Sequence, residues 1–469
     1  MILLLLAALF GVYDPGSWLN FPAMDDVRCI SASSDRLYIA VPKGVYILDR
    51  SDYRSVRTLT SADGITGEVR LAAFNPARGE LLVATDDRLY QYISTFDRAV
   101  ELFPPFRQVR SIGIATDAAY FDTEKGLFRK ERLLDRYEQV QEVPENTTWY
   151  GRLDTSRPED YVFLVPYYLT DNQLNNHRMT AVYRDPRGRR LYVAARGYGV
   201  TVYSLSLGLP QHQIRMGPSS DIVNRIIGVD DELWFSGLDW TVSVDPQGSW
   251  SYVRTKAGDL AQPGTRLFAG SLLDLGRKER IRATLPDSLG TWVGTDEALY
   301  SLGSKGKLTR VTNFGLPVNG LALFGDSLLV GTDAGLYLVR KDSLSELQDP
   351  FNRTGFGVYS VAQADGRLWL GTVGGIVLFD RSEVWQHIIP PGFDLSKPVR
   401  GLTAWGSIVF YDNGSGITAY DAADTSYTTF DTNSGLPEGD ITSMYADDRY
   451  LWIAFPGLIS RFEYKAELR

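Results

Sequence analysis

One apolar unit recurs along nearly the whole chain and restricts the possible folds more than any other feature. In its clearest copy, Leu-Trp-Leu-Gly-Thr at 368–372 is followed by a glycine-containing turn and a second apolar run that ends at Asp380. Equivalent copies begin near Leu37, Leu81, Leu191, Leu233, Thr291 and Leu328, and weaker copies near Ala119, Ile408 and Leu451. Their usual spacing of about 36–44 residues is typical of stacked repeats or propeller blades.

Each unit contains four short runs with the composition of β-strands. Around the clearest copy these runs begin at Gly357, Leu368, Ile376 and Val384. They are rich in β-branched and aromatic residues, and Gly, Asp or Ser separates them. No stretch places apolar residues at helical spacing over about ten residues or more, so almost no helix is expected. The sequence therefore predicts an all-β fold, a β-propeller of about ten four-stranded blades.

Two positions of the repeat indicate close packing and tight turns. The fourth residue of the second strand is Gly, Ala or Ser, as at Gly331 and Gly371, which suits the close approach of neighbouring sheets. A glycine usually precedes the third strand, which suits a turn with positive φ.

The two ends of the chain indicate how the propeller closes. The last unit, from Ile441, has three strand-like runs instead of four, and residues 17–22 form an unassigned strand-like piece before the first unit. We expect this N-terminal strand to complete the last blade and close a single ring, because closure protects edge strands. Ten blades in one ring is unusual, so two smaller propellers are the alternative.

Two copies carry a longer pattern that resembles a known repeat. Gly435-Leu-Pro precedes an inner strand and Leu451-Trp-Ile-Ala, and Gly315-Leu-Pro precedes an inner strand and Leu328-Leu-Val-Gly-Thr. This pattern resembles the two-component-regulator propeller repeat of bacterial sensor regions and stand-alone secreted propellers. The resemblance covers most of residues 25–465, and the sequence includes no kinase region. It implies a propeller that binds a ligand or interacts with proteins in the periplasm or at the cell surface.

Composition narrows the location and the partners. Residues 1–12 are almost wholly apolar, too short to span a bilayer, and typical of a secretory signal peptide ahead of a propeller at 13–469. The alternative for this run is a buried N-terminal strand. The net charge of −9 includes no basic stripe, which argues against nucleic acid as a partner. The single cysteine, Cys29, excludes an intramolecular disulfide and is interpreted as a core residue.

Two segments interrupt the repeat, near residues 129–178 and 256–279. The first is interpreted as an inserted hairpin or loop emerging from one face, and its aromatic residues make it the best candidate for binding. The candidate ligand-binding residues are Trp149, Tyr161, Tyr167, Tyr168 and His177. The alternative is that the tyrosines cover the hydrophobic edge of a blade, and that His177 is an ordinary surface histidine. The second segment is expected to be a short helix or a loop.

Residue patterns for catalysis are missing from the sequence. The three histidines are far apart, no metal-ligand spacing or nucleophile elbow occurs, and the segment from Asp431 to Gly435 is interpreted as a turn between blades because it lacks the closing acid of a calcium loop. We therefore expect no cofactor, no metal and no catalytic residue. The preferred hypothesis is a non-enzymatic extracytoplasmic scaffold that binds a glycan or a protein partner. The alternative is a polysaccharide lyase or hydrolase on a propeller, with catalytic groups near the ring axis.

Overall fold

A computed structural model describes most of the chain after residue 16. The described residues are 17–94, 97–131, 136–151, 167–171, 173–185, 189–223, 225–229, 232–237, 240–245, 248–254, 260–261, 268–269, 272–274, 278–287, 290–303, 308–340, 343–350, 352–380, 384–389 and 396–467. The predicted signal peptide lies outside them. The chain forms two compact units. Of the described residues, the N-terminal unit comprises those within 19–221 and 457–459, and the C-terminal unit comprises those within 17–18, 222–456 and 460–467.

Ten sheets built on four antiparallel strands account for nearly all regular structure in the described residues, as the repeat predicts. We number them 1–10 in chain order, and the strands of the repeat run from the inner, first strand to the outer, fourth strand. In the N-terminal unit, sheet 1 is Cys29–Ala32, Arg36–Val41, Gly44–Asp49 and Ser55–Leu59. Sheet 2 is Val69–Asn75, Glu80–Thr85, Leu89–Ile93 and Arg98–Leu102. Sheet 3 is Val109–Ile114, Ala118–Thr123, Gly126–Glu131 and Tyr137–Val140. Sheet 4 is Asn176–Arg184, Arg190–Ala195, Gly199–Ser204 and Pro210–Ile214.

The C-terminal unit contains sheets 5 to 9 and most of sheet 10. Sheet 5 is Arg225–Val229, Glu232–Ser236, Trp240–Val244 and Trp250–Arg254. Sheet 6 is Lys278–Asp287, Gly290–Thr295, Ala298–Gly303 and Leu308–Asn313. Sheet 7 is Val318–Phe324, Ser327–Thr332, Gly335–Arg340 and Ser343–Glu346. Sheets 8 and 9 are Val358–Ala364, Arg367–Thr372, Gly375–Phe379 and Trp385–Ile388; and Leu402–Trp405, Ile408–Asp412, Ile417–Asp421 and Ser426–Phe430. Sheet 10 is Ser443–Ala446, Leu451–Phe455, Leu458–Phe462 and Trp18–Pro22.

A few strands lie outside the four-stranded pattern. Thr148–Tyr150 is a fifth strand of sheet 3, Tyr168–Thr170 of sheet 4 and Leu272–Asp274 of sheet 6, and Leu260–Ala261 pairs with Phe268–Ala269. The described parts of segment 256–279 are therefore strands, and the expectation of a short helix or a loop is wrong for those residues. Helical structure in the described residues is limited to Ser17, Tyr464–Glu467 and the 3-10 turns Ser61–Asp63, Thr354–Phe356 and Thr432–Ser434, which confirms the prediction of little helix.

The N-terminal strand completes the last sheet, as predicted. Trp18–Pro22 is the outer strand of sheet 10, next to Leu458–Phe462. The Trp18 ring stacks on Phe462 with centroids 4.4 Å apart and meets the edge of Phe430 at 6.5 Å. The chain thus supplies a pairing partner for an edge that would otherwise be open.

The order of the neighbouring sheets shows that the prediction of a single ring is wrong. Within the N-terminal unit, the inner strand of sheet 1 lies against those of sheets 2 and 4, and sheet 2 lies against sheet 3. Within the C-terminal unit, the inner strands follow one another from sheet 6 to sheet 10, and that of sheet 10 lies against sheet 5. Each unit therefore brings its own last sheet next to its own first sheet. This is the order expected for two smaller propellers, the alternative interpretation of the sequence.

The repeated threonine at the end of the second strand holds the turn that follows. The hydroxyls of Thr123, Thr332 and Thr372 donate to the carbonyl oxygen three residues later, at 2.7, 3.1 and 3.0 Å. The side chain thus adds a hydrogen bond across the tight turn that joins the second strand to the third. A side chain also holds the turn before sheet 10. The Asp431 carboxylate caps Thr432–Ser434 by accepting hydrogen bonds from Asn433 N at 2.9 Å and Ser434 N at 3.1 Å. This confirms the turn interpretation of that segment.

Candidate functional site

The aromatic insertion contributes a β-hairpin at the inner edge of sheet 4. Tyr168–Thr170 pairs with the beginning of Asn176–Arg184, with Leu169 opposite His177. Leu169 is buried in the core of sheet 4, whereas its neighbours Tyr168 and Thr170 face solvent. This alternation is that of a strand with one buried face. The hairpin is therefore anchored through one side and displays the other.

The Asp171 carboxylate organises the tip of this hairpin. It accepts hydrogen bonds from Gln173 N and Asn175 N, both at 2.8 Å, and from the Asn175 amide at 3.1 Å. Leu174, at the tip, has φ of 64° and donates its backbone N–H to Asp171 O at 3.0 Å. A non-glycine residue adopts this conformation only where its surroundings stabilise it, so the Asp171 contacts define the shape of the tip.

His177 fastens the hairpin to sheet 4. Its Nε2 lies 2.9 Å from the Asp171 carboxylate, and its Nδ1 lies 3.2 Å from the carbonyl oxygen of Arg196. The imidazole also stacks on Tyr198 with centroids 4.6 Å apart. The hydrogen bond from His177 is the largest cause that holds the pKa of Asp171 well below its usual range. His177 is thus a bracing residue with both ring nitrogens engaged, and its side chain is 21% exposed.

Three large apolar side chains of the hairpin are open to solvent. Tyr167 is 54% exposed, Tyr168 is 44% exposed and Leu174 is 83% exposed. The alternative, in which the tyrosines of the insertion cover a blade edge, does not describe Tyr167 and Tyr168. We call these three residues the hairpin surface.

Trp149 lies in a different place from the hairpin surface. Thr148–Tyr150 pairs with the inner strand of sheet 3, with Trp149 opposite Gly113, and also lies against the inner strands of sheets 1 and 2. Tyr150 stacks on Tyr183 of sheet 4 at 6.2 Å. The interpretation of this part of the insertion as a loop emerging from a face is therefore wrong for Trp149, since it packs at the centre of the N-terminal unit. Tyr161 lies outside the described residues.

Sequence reasoning missed a second group of residues at the start of the inner strands. The pairing register shifts there in sheets 2, 3, 4, 6, 7 and 8, so that one residue bulges from the ladder. The bulged residues are Arg70, Arg110, Thr180, Arg282, Asn319 and Tyr359. A β-bulge redirects the side chain of the extra residue, and here it turns polar and aromatic side chains toward the ends of the inner strands. The available signal was a polar residue following the first apolar residue of each inner strand.

A polar cluster ties sheets 1 and 4 of the N-terminal unit together. Arg50 forms an ion pair with Asp185, whose side chain is 2% exposed, and Arg190 donates to the Tyr53 hydroxyl at 2.8 Å. Tyr53 also stacks on His212 at 4.9 Å. Burial and the neighbouring Tyr192 hydroxyl raise the pKa of Tyr53. The charges are paired with one another at a junction of sheets, and we assign the cluster a structural role.

Another polar cluster lies between sheets 2 and 3. Glu80 and Lys130, among others, line a narrow gap between sheets 2 and 3 that is too small for a water molecule. Glu80 is 1% exposed, accepts from the Asn75 amide at 3.1 Å and lies 3.4 Å from Arg78.

In the described part of the chain, no three His, Cys, Asp or Glu side chains are grouped so as to hold a metal ion. Cys29 is 2% exposed, which confirms it as a core residue, and burial raises the pKa of its thiol to about 11.

Among the described residues, no helix is long and apolar enough to cross a bilayer.

Comparisons with known proteins return similar solved structures at low identity. No family model and no curated protein matches the chain. The extracellular domain of a protein named as a hybrid two-component system of B. thetaiotaomicron is 15% identical with a TM-score of 0.40, over 93% of this chain and 61% of that domain. This chain therefore spans less than two thirds of that domain's length.

Two further structures illustrate the range of these similarities. PorZ, a surface component of the type-IX secretion system of Porphyromonas gingivalis, is 11% identical with a TM-score of 0.43, over 96% of this chain and 87% of PorZ. Virginiamycin B lyase of Staphylococcus aureus is 12% identical with a TM-score of 0.37, over 60% of this chain and 93% of the lyase.

Proposed function

We propose that this protein is a non-enzymatic extracytoplasmic scaffold that binds a protein partner through the hairpin surface. The observation that carries the proposal is the exposure of Tyr167, Tyr168 and Leu174 on one braced hairpin. Tyrosine is enriched at the energetic centres of interfaces because its large ring buries apolar area while the hydroxyl forms a hydrogen bond.

The bracing of the hairpin favours binding as its purpose. Asp171 and His177 hold the tip through five hydrogen bonds, so little conformational entropy remains to be lost when a partner binds. A protein partner fits better than a glycan, because Leu174 at the tip is aliphatic and presents neither a flat aromatic face nor a hydrogen-bonding group to a sugar.

The extracytoplasmic location rests on the sequence. The apolar run at residues 1–12 and the resemblance to secreted sensor propellers both support export. Recovery of the native protein from the periplasm, the medium or the outer cell surface would test this location, and recovery from the cytoplasm would contradict it.

The centre of the N-terminal unit favours binding over catalysis. The enzyme hypothesis expects catalytic groups to converge on a pocket near the axis of a ring. The strand Thr148–Tyr150 instead packs against the inner strands of sheets 1, 2 and 3 of this unit. We therefore rank a lyase or hydrolase activity below a binding function.

The test is site-specific crosslinking followed by affinity measurement. A photoreactive amino acid in place of Tyr168 should trap a protein partner in the native cell envelope, and the same group in place of Leu207 serves as the control. Leu207 is 67% exposed in a turn of sheet 4 and lies outside the hairpin surface. The trapped protein is then purified, and its affinity for wild-type and variant chains is measured by calorimetry.

The expected result is a selective loss of affinity. The double variant Tyr167→Ala/Tyr168→Ala should weaken binding by about tenfold or more, as does the loss of interface anchors generally, and Leu207→Ser should leave the affinity unchanged. Equal crosslinking at both positions, or equal affinity of the double variant and wild type, would refute the hairpin surface as the binding site. Binding of an oligosaccharide that depends on the two tyrosines would show that the partner class is wrong.

A further inference from the structure

The C-terminal unit carries a second exposed apolar surface, at the entrances of the inner strands of sheets 7 and 8. Leu316 and Phe356 occupy equivalent positions, each two residues before the first residue of an inner strand, Val318 or Val358. Leu316 is 36% exposed and Phe356 is 60% exposed. The two inner strands are neighbours, so both side chains stand at the same end of adjacent strands.

The turn that presents Phe356 is built around a buried carboxylate. Asp349 is 6% exposed and accepts hydrogen bonds from Thr354 N at 2.6 Å, from the Thr354 hydroxyl at 2.5 Å and from Arg353 N at 3.2 Å. These bonds hold the 3-10 turn Thr354–Phe356, which ends at Phe356. An apolar side chain that is exposed at a rigid turn is pre-organised for contact, since the protein need not order the turn on binding.

A cation lies beside this apolar surface. The Arg400 guanidinium sits over the Tyr359 ring at 5.4 Å, and the Tyr359 hydroxyl donates to the Phe356 carbonyl oxygen at 3.4 Å. Arg400 is exposed, and none of the carboxylates in the described residues forms an ion pair with it. The nearby Asp333 carboxylate is already engaged, because it accepts from the Asn319 amide at 2.7 Å.

We infer that Leu316, Phe356, Tyr359 and Arg400 form a docking surface for an extended segment of another protein that carries apolar side chains next to a carboxylate. The apolar pair provides anchors, and the guanidinium, held by the aromatic ring, presents donors in the fork geometry that matches a carboxylate. Aromatic residues and arginine are the residue types that most often dominate binding energy at interfaces. This surface belongs to the C-terminal unit and is separate from the hairpin surface, so the inference goes beyond the proposed function.

The charge pattern decides between possible segments. An acidic apolar segment gains a charge-assisted hydrogen bond at Arg400, whereas a basic segment meets like charge and a neutral polar segment leaves the apolar anchors uncovered. The surface should therefore select for sequence in a predictable direction.

The test is selection from a random peptide library displayed on phage, using the full-length protein as bait. We expect the enriched peptides to combine apolar residues with Asp or Glu. Synthetic copies of these peptides should lose affinity by about tenfold or more for Phe356→Ala. The charge reversal Arg400→Glu should abolish binding of the acidic peptides and, in a second selection, should enrich basic apolar peptides.

Two matched controls lie elsewhere on the same unit. Trp405→Ala removes an exposed apolar side chain, 44% exposed at a turn of sheet 9, and Arg310→Glu reverses an exposed charge on the outer strand of sheet 6. Both variants should bind the selected peptides as the wild type does. Thermal unfolding verifies that all four variants are folded.

Three outcomes would overturn the inference. These are a selection that enriches no peptide, an enrichment without acidic residues, and an affinity that is unchanged in both Phe356→Ala and Arg400→Glu. Failure of the hairpin variants in the earlier experiment would not affect this result, because the two surfaces use different residues of different units.

Discussion

At the scale of the residue, small side chains determine how closely neighbouring sheets approach. A Cβ atom at Gly331 would lie 2.7 Å from Val358 Cγ1, on the inner strand of the next sheet. This confirms the expectation that the small residue serves sheet packing. Two constraints, rather than one, require a glycine before the third strand. Gly375 has φ of 139°, as expected for the turn, and its Cβ would also lie 2.7 Å from the Ile388 carbonyl oxygen on the outer strand.

Adding one methyl group at the sheet contact should therefore destabilise the C-terminal unit. We expect Gly331→Ala to lower the free energy of unfolding by about 1–3 kcal/mol, the usual cost of overpacking a core. Urea denaturation measures the change. In the double variant Gly331→Ala/Val358→Ala the obstructing methyl groups are gone, so the two changes should be less than additive. A neutral Gly331→Ala variant, or simple additivity, would contradict the proposed contact.

At the scale of the element, one insertion contributes two strands with different roles. Thr148–Tyr150 packs against inner strands in the N-terminal unit, whereas Tyr168–Thr170 forms half of an exposed hairpin. Both pair through the backbone, and burial distinguishes them. Trp149 packs against the cluster of Ala115, Ala118 and Tyr120, whereas Tyr168 is 44% exposed. Aromatic content alone therefore does not separate a packing strand from a binding strand.

Substitutions in the two strands should separate stability from binding. Gly151 follows the strand Thr148–Tyr150 and has φ of 88°, and a Cβ atom there would collide with the Leu71 side chain. Gly151→Ala should therefore lower the free energy of unfolding by about 1–3 kcal/mol, and Trp149→Ala should also be destabilising. Tyr168→Ala should change stability by less than about 0.5 kcal/mol, as exposed positions usually do. Chemical denaturation of the three variants tests this ranking, which a stable Gly151→Ala would contradict.

At the scale of the whole molecule, the chain forms two compact units, and each brings its last sheet against its first. The closing strand of sheet 10 comes from the N-terminal end of the described chain, so folding of this sheet joins residues that are far apart in sequence. Long-range closure of this kind is entropically costly and must be stabilised by packing. Trp18, which is 6% exposed and stacks on Phe462, is the largest side chain of the closing strand.

Removal of this tryptophan should loosen the closing strand. We expect Trp18→Ala to destabilise the protein by about 3–5 kcal/mol, the usual range for a buried tryptophan. Hydrogen exchange should show faster exchange in Leu458–Phe462 than in the wild type, while the conservative Trp18→Phe should retain most of the protection. Unchanged protection in Trp18→Ala would mean that the outer strand is not what holds sheet 10 together.

The sequence by itself determined the repeat, the strand order within a sheet and the strand that completes sheet 10. The first two are local properties, because alternation and turn residues are readable within a span of about forty residues, and the third follows from comparing a missing fourth run near one end of the chain with an unassigned run near the other. The sequence also singled out the insertion, but it grouped Trp149 with Tyr167 and Tyr168, and it did not detect the bulged residues or the surface around Phe356.

Only the tertiary structure decided which sheets are neighbours, and with that the choice of two units over one ring. Every unit of the repeat presents nearly the same apolar faces, so the pattern that predicts a sheet carries little information about which other sheet will cover it. Burial likewise separates the packed Trp149 from the exposed Tyr168, since exposure depends on residues distant in sequence. Local pattern thus specifies the sheet, and long-range packing specifies the arrangement of sheets and the surfaces left open for binding.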